Sequence, residues 1–277
     1  MKKLAYLLLF IVSLTTYAQS PWTQKKGEAY IQLSMTTIPK YSTLFGNPEY
    51  NTERKVSDNT LQFYAEYGLS DKTTLIVNLP LKILASNELT STTISPFTTE
   101  DSKTALGNIQ LGVKHNFYNK KWLISGQLLM EANTGTYEDA SGLRTGYDAW
   151  TLTPTVIIGR GFDKWYIQGF TGVDIRTNDY SSAFKIGGEA GYKALDWLWV
   201  AGFLDGVASF QNGDVIDPRN NRLTGLYVNN QSYAAFGFKL IAEFDRNFGA
   251  NVGLGGAFDG RNVAKSPAIS LGLYYKL

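Results

Sequence analysis

The residues of this chain best able to do chemistry are charged side chains in the middle of segments whose alternate positions are apolar. Charges in a row along a wet passage can form an ion relay or a selectivity ring. They can equally pair with one another and stabilise a polar interior. Nine share the polar parity of their segments: Glu66, Lys82, Lys114, Glu131, Asp174, Lys185, Glu189, Lys239 and Glu243. The first eight are four lysines and four acids, a balance that favours pairing and predicts little ion selectivity.

His115 is the only histidine, and it stands on the apolar parity of its segment just before a predicted short turn. Outer-membrane phospholipases use a Ser–His pair on outward positions near the external rim. Here the segment reads His115-Asn116-Phe117, with no serine two residues after the histidine. We therefore interpret His115 as an interfacial residue rather than a catalytic one, and a single histidine cannot build a typical zinc site.

The chain has no cysteine, which excludes disulfides, thiolate metal sites and cysteine nucleophiles. Oxygen-bearing side chains crowd residues 212–221, which read NGDVIDPRNN. This stretch lacks the regular spacing and the terminal acid of a calcium loop, so we predict a solvated external loop. The sequence predicts neither a metal nor a cofactor.

The N-terminus has the three parts of a secretory signal peptide: Lys2 and Lys3, an apolar core over 4–14, and a small residue, Ala18. We expect residues 1–18 to be cleaved, 19–26 to form a short periplasmic segment and 27–277 to fold as one domain. Cleavage removes two lysines, so 26 basic residues become 24, against 24 acidic ones. A neutral mature chain gives no reason to expect a nucleic-acid partner.

Alternating runs in this domain determine where the charges point. In the run 59–69, the odd positions from Leu61 to Leu69 are apolar, whereas Thr60, Gln62 and Glu66 stand on even positions. A period of two is typical of a strand and not of a helix. Twelve runs are predicted: 27–38, 59–69, 72–84, 106–118, 121–133, 148–161, 164–176, 182–194, 197–209, 231–244, 247–258 and 267–277.

Three features favour a membrane barrel over a soluble β-sandwich. The polar face carries full charges, short turns alternate with long loops, and aromatic residues cluster beside the short turns. The short turns fall at 70–71, 119–120, 163, 196 and 245–246, and the long loops at 39–58, 85–105, 134–147, 177–181, 210–230 and 259–266. The predicted aromatic girdle comprises Tyr67, Phe117, Trp122, Phe162, Trp165, Tyr192, Trp197, Trp199, Phe244, Phe248 and Tyr275. We predict an all-β fold, a transmembrane antiparallel up-and-down barrel of 12 strands with short periplasmic turns and long extracellular loops.

Two features interrupt this pattern. Asp205 shares its parity with Trp197, Trp199 and Phe203, so we expect a bulge or a register change in the ninth run. Pro80 and Pro154 fall inside predicted strands and remove ladder donors, which leaves a local gap in the wall, and with it a lateral exit, as an open alternative.

One segment resembles a sequence motif of the barrel family named after the meta-pathway of phenol degradation. It reads Glu66-Tyr67-Gly68-Leu69-Ser70-Asp71-Lys72-Thr73-Thr74-Leu75. In that family a strand ends in Tyr-Gly-Leu and turns on Ser/Thr-Asp-Lys/Arg. The segment Gly107–Lys114 is similar to its next strand, and the likeness continues to about residue 260. The resemblance implies an outer-membrane transporter of hydrophobic or aromatic compounds and supplies no functional residues.

The chain ends on an alternating run up to Leu277, which resembles the C-terminal signal read by the outer-membrane assembly machinery. The long-chain fatty-acid channels, by comparison, carry an N-terminal hatch inside the barrel. Residues 19–26 are too few for such a plug, so we expect gating from the loops 39–58, 85–105 and 210–230.

The favoured function is a passive outer-membrane channel for small solutes, hydrophobic or aromatic ones in particular. A barrel of 12 strands lies between those filled by side chains and those with a wide aqueous channel. Two alternatives stay open, a non-conducting structural or surface-interaction protein and a lipid-modifying enzyme, although no enzymatic activity is predicted. The expected partners are outer-membrane lipids, the secretion and assembly machineries, and small solutes.

Overall fold

The computed structural model describes residues 20–92, 95–217 and 223–277. The predicted signal peptide, 1–18, lies outside the described residues. In the part that is described, no helix is long and apolar enough to cross a membrane.

One antiparallel sheet closes on itself and forms the molecule. Twelve strands make the wall in the order β1-β2-β3-β5-β6-β7-β8-β9-β10-β11-β12-β14, and β14 pairs back onto β1. Two short strands are additional, since β4 extends the wall beside β3 and β13 pairs with the end of β1. The strands are β1 (Ala29–Phe45), β2 (Tyr50–Ser70), β3 (Thr73–Leu89), β4 (Asp101–Leu106), β5 (Gln110–Asn119), β6 (Leu123–Glu131), β7 (Thr151–Gly161), β8 (Trp165–Arg176), β9 (Ala183–Leu195), β10 (Leu198–Ser209), β11 (Ser232–Glu243), β12 (Phe248–Arg261), β13 (Val263–Ala264) and β14 (Ala268–Lys276). The predicted 12-stranded barrel is confirmed.

The alternation in sequence becomes an inside and an outside. Large apolar side chains are exposed on the outer wall, among them Leu33, Phe63, Leu75, Leu111, Leu128, Val156, Ile186, Leu204, Phe238 and Leu271. The intervening positions point into the lumen and are buried there although many are polar, such as Thr60, Asn78 and Thr153. A wall apolar outside and polar inside is the arrangement of a membrane barrel.

The first three strands extend well beyond their predicted ends. β1 and β2 are separated only by residues 46–49, and β3 runs to Leu89 with β4 paired against it. The predicted loop 39–58 is therefore wrong, and the predicted loop 85–105 is shorter than expected. Both faces of the added length carry polar residues, so alternation does not reveal it, although Leu44 and Val56 face inward and are fully buried.

The fourth predicted run is broken in two opposite Pro80. Residues 107–109 are not in a strand, and the pairing shifts by one residue between Asn78–Gln110 and Leu81–Leu106. The carbonyl of Pro80 accepts a hydrogen bond from Gly107 N at 2.8 Å. At Pro154 the β7–β8 ladder is interrupted without a register change, since Leu152–Ile175 and Thr155–Gly172 are in line.

The ladder between β10 and β9 has one register shift, between Leu198 and Trp199, whereas the register change expected near Asp205 is not seen from Trp199 to Val207. Trp197 lies in the turn before β10 and is exposed, whereas Trp199, Phe203 and Asp205 share the inward face of β10. Trp199 thus does not belong to the aromatic girdle, contrary to the prediction. The other ten predicted girdle residues are exposed.

Candidate functional site

The nine predicted charges all belong to the inward parity of the wall, and most of them are paired there. Lys114 Nζ lies 2.8 Å from Glu66, Lys239 Nζ 2.5 Å from Glu189, and Lys185 Nζ 3.5 Å from Asp174. Glu243 contacts two lysines near the end of the barrel, Lys193 at 3.6 Å and Lys276 at 3.9 Å. Glu131 instead accepts hydrogen bonds from the amides of Asn108 and Gln110, at 3.0 and 2.6 Å.

Sequence reasoning missed four partners in this network, two of them the lysines beside Glu243. Lys82 pairs with Asp58 at 2.5 Å, and Asp174 also binds Arg176 at 3.1 Å. Asp58 falls in the stretch interpreted as a loop, which hid its inward position. Arg176 has the parity of Asp174 at the last position of its run, and that parity was the available signal.

The pair of Lys114 and Glu66 is the most buried of these, with side-chain exposures of 0% and 6%. Glu66 also accepts hydrogen bonds from the hydroxyl of Tyr64 at 2.7 Å and from Gln24 Nε2 at 2.8 Å. A buried ion pair is tolerable only when its remaining hydrogen-bonding capacity is satisfied. This pair therefore holds the wall together and is not free to bind a solute.

A cavity of about 490 Å³ occupies the half of the lumen nearest the short turns. We call it the short-turn chamber. Polar side chains such as Gln62 and Glu189 line it together with eight aromatic ones, which are Trp22, Tyr30, Tyr64, Phe162, Trp165, Tyr166, Trp199 and Tyr274. The hydroxyl of Tyr166 donates to Glu189 at 2.7 Å and that of Tyr30 to Gln32 at 2.5 Å, so wall residues satisfy them.

Residues 20–26 lie inside the mouth of this chamber. Gln24 N donates to the hydroxyl of Thr74 on β3 at 2.9 Å, the hydroxyl of Ser125 on β6 donates to the carbonyl of Pro21 at 2.6 Å, and Trp22 packs edge-on against Tyr166 at 6.3 Å. The segment thus passes along the wall from β3 to β8 and occupies part of the opening. Only the length of this segment was considered from the sequence, and length does not reveal that it lies in the mouth of the chamber.

Gly68 explains how the segment enters so closely. A Cβ at this position would overlap the carbonyl oxygen of Lys25. Gly27 N donates to the carbonyl of Gly68 at 2.9 Å, and Gly68 N donates to the carbonyl of Glu28 at the same distance. Glycine at 68 permits this backbone approach.

A second cavity, of about 310 Å³, occupies the half of the lumen nearest the long loops. We call it the long-loop chamber. Its lining is rich in charge and includes Asp58, Lys82, Glu131, Asp174, Arg176 and Lys185. Thr36 lines both chambers, so they adjoin on β1.

Tyr147 and its neighbours cover the long-loop chamber. Tyr147 packs edge-on against Tyr180 and Tyr227, with ring centroids 5.4 and 5.3 Å away. The Arg176 guanidinium lies 4.4 Å from the Tyr147 ring, close enough for a cation–π interaction. Burial raises the pKa of Tyr147 to about 12, so at neutral pH its hydroxyl keeps its proton and donates to Gln231.

Two loops fold inward and pack against residues of β1, β2 and β3, and together they form an apolar plug, which we call the long-loop cluster. Its buried members are Tyr41, Leu44, Val56, Leu84, Leu143 and Leu226. The hydroxyl of Tyr41 donates to the carbonyl of Thr224 at 2.8 Å, and that of Thr224 donates to the carbonyl of Gly142 at 3.0 Å. The loop 210–230 was expected to gate the barrel, and its part from residue 223 onward thus contributes to this cluster.

Asn108 holds the other inward loop from the break in the wall. Its side-chain oxygen accepts a hydrogen bond from Gly135 N at 2.8 Å, and its Nδ2 donates to the carbonyl of Tyr147 at 2.9 Å. Asn108 is buried because residues 107–109 turn inward where the ladder breaks. The interruption of the ladder therefore positions Asn108 to anchor this loop, and it does not open a gap in the wall at this point.

His115 lies on the outer face of β5. Its Nδ1 is 2.9 Å from the hydroxyl of Thr73, and its ring contacts Phe117 at 4.8 Å. In the stretch considered for calcium, Asn212 and Asp217 accept hydrogen bonds from the backbone of Ser182 and Asn229, at 2.9 and 2.7 Å. Residues 218–221 of that stretch lie outside the described residues.

Comparison with known proteins agrees with this architecture. A family model described as "Putative MetA-pathway of phenol degradation" matches residues 35–273. The COG4313 outer membrane channel from Pseudomonas putida F1 is similar in structure, with a TM-score of 0.70 and 13% identity over 95% of this chain and 99% of that one. The translocator domain of the autotransporter NalP from Neisseria meningitidis has a TM-score of 0.54 at 9% identity, over 91% of this chain and 90% of that one. A search of curated proteins found no match. The structural likenesses show the fold.

Proposed function

Since the chain belongs to the family of the MetA-pathway of phenol degradation, we propose that it is a passive outer-membrane channel for small solutes. The observation that carries the proposal is the pair of adjoining chambers inside a closed wall. Paired charges line them, so a neutral solute meets little net field.

The outer wall supports a place in the membrane. Apolar side chains face outward along the strands, and exposed aromatic residues such as Trp122, Trp165 and Trp197 surround the short-turn end. Aromatic girdles lie where headgroups meet hydrocarbon. Ala29 and Leu277 meet at the short-turn end through hydrogen bonds of 3.1 and 2.8 Å, and we orient this end toward the periplasm.

The short-turn chamber supports aromatic or other hydrophobic solutes as cargo. Eight aromatic side chains line it, and its volume of about 490 Å³ lies within the range of roughly 300–1,000 Å³ typical of small-molecule sites. Rings offer stacking and edge contacts to a planar solute. The description of the family points to the same class of compound.

Passage in this proposal requires the long-loop cluster to open. The solute would enter between the inward loops, pass the charged long-loop chamber and leave through the opening beside residues 20–26. No energy source is needed because the gradient drives the flux. Single-channel conductance in planar bilayers and uptake of phenol by liposomes test the proposal, and folded protein that shows neither would overturn it.

The long-loop cluster favours one second candidate, a non-conducting barrel that acts through its outer surface. Leu44 and Leu143 are fully buried in this plug, so the static molecule is closed at that end. Deletion of residues 135–146 separates the two candidates. Both candidates should conduct once this loop is removed, but only a gated channel should also conduct, at a lower level, with the loop in place.

A further inference from the structure

Four cations stand together on two neighbouring turns of the short-turn end. Lys120 and Lys121 lie in the turn between β5 and β6, Lys164 lies between β7 and β8, and Arg160 is near the end of β7. We call them the basic rim cluster. In the part of the chain that is described, none of the four makes a salt bridge. Asp163 is the one acid in these two turns.

Arg160 is held on the outer wall by aromatic rings. It has the outward parity of Val156 and Ile158, and its guanidinium lies 4.5 Å from the ring of Phe162 and 5.7 Å from that of Trp122. Both rings are exposed in the girdle. Stacking of this kind restricts the side chain and places its charge at the depth of lipid headgroups.

An open groove of about 650 Å³ follows the outer wall over β5 to β9 next to the cluster. Its lining includes Phe117, Gly126, Leu128, Val156, Thr171 and Phe184. Gly126 stands between His115 and Val156 with no side chain of its own, so the ring of Phe117 lies over it and forms part of the groove lining. On β7 only Ile158 separates Val156 in the groove from Arg160 in the cluster along the outward face.

We propose that this surface binds an anionic phospholipid, with its phosphate on the basic rim cluster and an acyl chain in the groove. The site rests on the proposed orientation, which turns this rim toward the phospholipid leaflet of the outer membrane. Charge complementarity selects an anionic headgroup, since four cations face one acid. Elsewhere on the rim Lys193 and Lys276 pair with Glu243, and Lys25 pairs with Glu28.

Native mass spectrometry of the full chain, released from detergent with equal amounts of dioleoyl phosphatidylglycerol and dioleoyl phosphatidylcholine, tests the site. The wild type should retain phosphatidylglycerol preferentially. Arg160→Gln should lower that preference about fivefold, since one cation near a membrane surface is worth about that factor, and adding Lys120→Gln, Lys121→Gln and Lys164→Gln should abolish it. Gly126→Leu takes the space that the Phe117 ring now occupies and pushes that ring into the groove without changing charge, so retention of phosphatidylglycerol should fall in that variant too.

Arg246→Gln, in the turn between β11 and β12 where Asp245 stands beside it, is the matched control and should leave the preference unchanged. Equal retention of both lipids by the wild type would overturn the proposal, as would a loss in the control equal to that of Arg160→Gln. Heat-dependent mobility in gels verifies that each variant is folded. Conductance of the same samples separates the two proposals: lipid preference without conductance leaves this site standing and removes the channel, and the opposite result removes only the site.

Discussion

At the long-loop end of the lumen, Leu143 and Leu226 from two inward loops pack against Leu44 on β1 and form an apolar plug. At the short-turn end, the short segment 20–26 is held by hydrogen bonds, and one of its residues, Gln24, joins the ion pair of Glu66 and Lys114. One closure depends on buried apolar area and the other on satisfied polar groups. The contrast indicates that the long-loop end is the stronger barrier to a solute, whereas the short-turn end shapes a chamber without filling it.

Breaking the ion pair should have the largest effect on stability. Lys114→Met leaves Glu66 buried without a cation, so we expect the free energy of unfolding to fall by about 3–5 kcal/mol. Urea unfolding in lipid vesicles measures this. Lys265→Met, which breaks the exposed pair with Glu49, should cost less than about 1 kcal/mol. Equal losses in the two variants would show that burial does not distinguish these pairs.

Weakening the long-loop cluster should have the second-largest effect. Leu143→Ala removes a fully buried side chain, so we expect the packing of the inward loops to lose about 2–5 kcal/mol. Conductance should then rise, and more than in Trp22→Ala, which only widens the short-turn mouth. If Trp22→Ala conducts more, the barrier lies at the other end.

Asn108→Ala sharpens the same comparison with a smaller effect. It leaves Gly135 N and the carbonyl of Tyr147 without their partner, at a cost of about 1–3 kcal/mol. Protease cleavage between residues 134 and 147 should become faster. Asn133→Ala, which removes an exposed hydrogen bond to Asp148, is the control and should cleave at the wild-type rate. The assignment of Asn108 as the fastening residue fails if both variants resist equally.

The smallest expected effect is at a short turn and depends on pH. Backbone hydrogen bonds from Asn247 and Phe248 hold the pKa of Asp245 below its usual range. A carboxyl group whose pKa is lower in the folded state stabilises the fold at pH values above its ordinary pKa of about 4. That stabilisation is lost as the pH falls below this value. The difference in stability between wild type and Asp245→Asn should therefore shrink between pH 7 and pH 3. A difference that does not change with pH would contradict this.

Local periodicity was enough to predict much of the barrel. The parity of Glu66, Lys82 and Lys239 placed them inside, and the exposed side chains of Trp122 and Phe238 followed from the same pattern. Side chains alternate across a strand whatever lies beside it, so a period of two is visible in the sequence alone. The same rule failed for Trp199, because it shares the inward face of Phe203 and Asp205, whereas Trp197 lies in a turn, where alternation does not fix the face.

The chain alone thus determined that there is a wall and which face of most of its strands is turned to the lumen. Only the closed tertiary structure decided that Lys114 on β5 meets Glu66 on β2, with β3 between them, and that residues 20–26 and the loop around Leu143 lie inside. Those outcomes depend on the tilt and stagger with which strands close a barrel. Tilt and stagger bring together side chains far apart in sequence, and no spacing along the chain encodes such contacts.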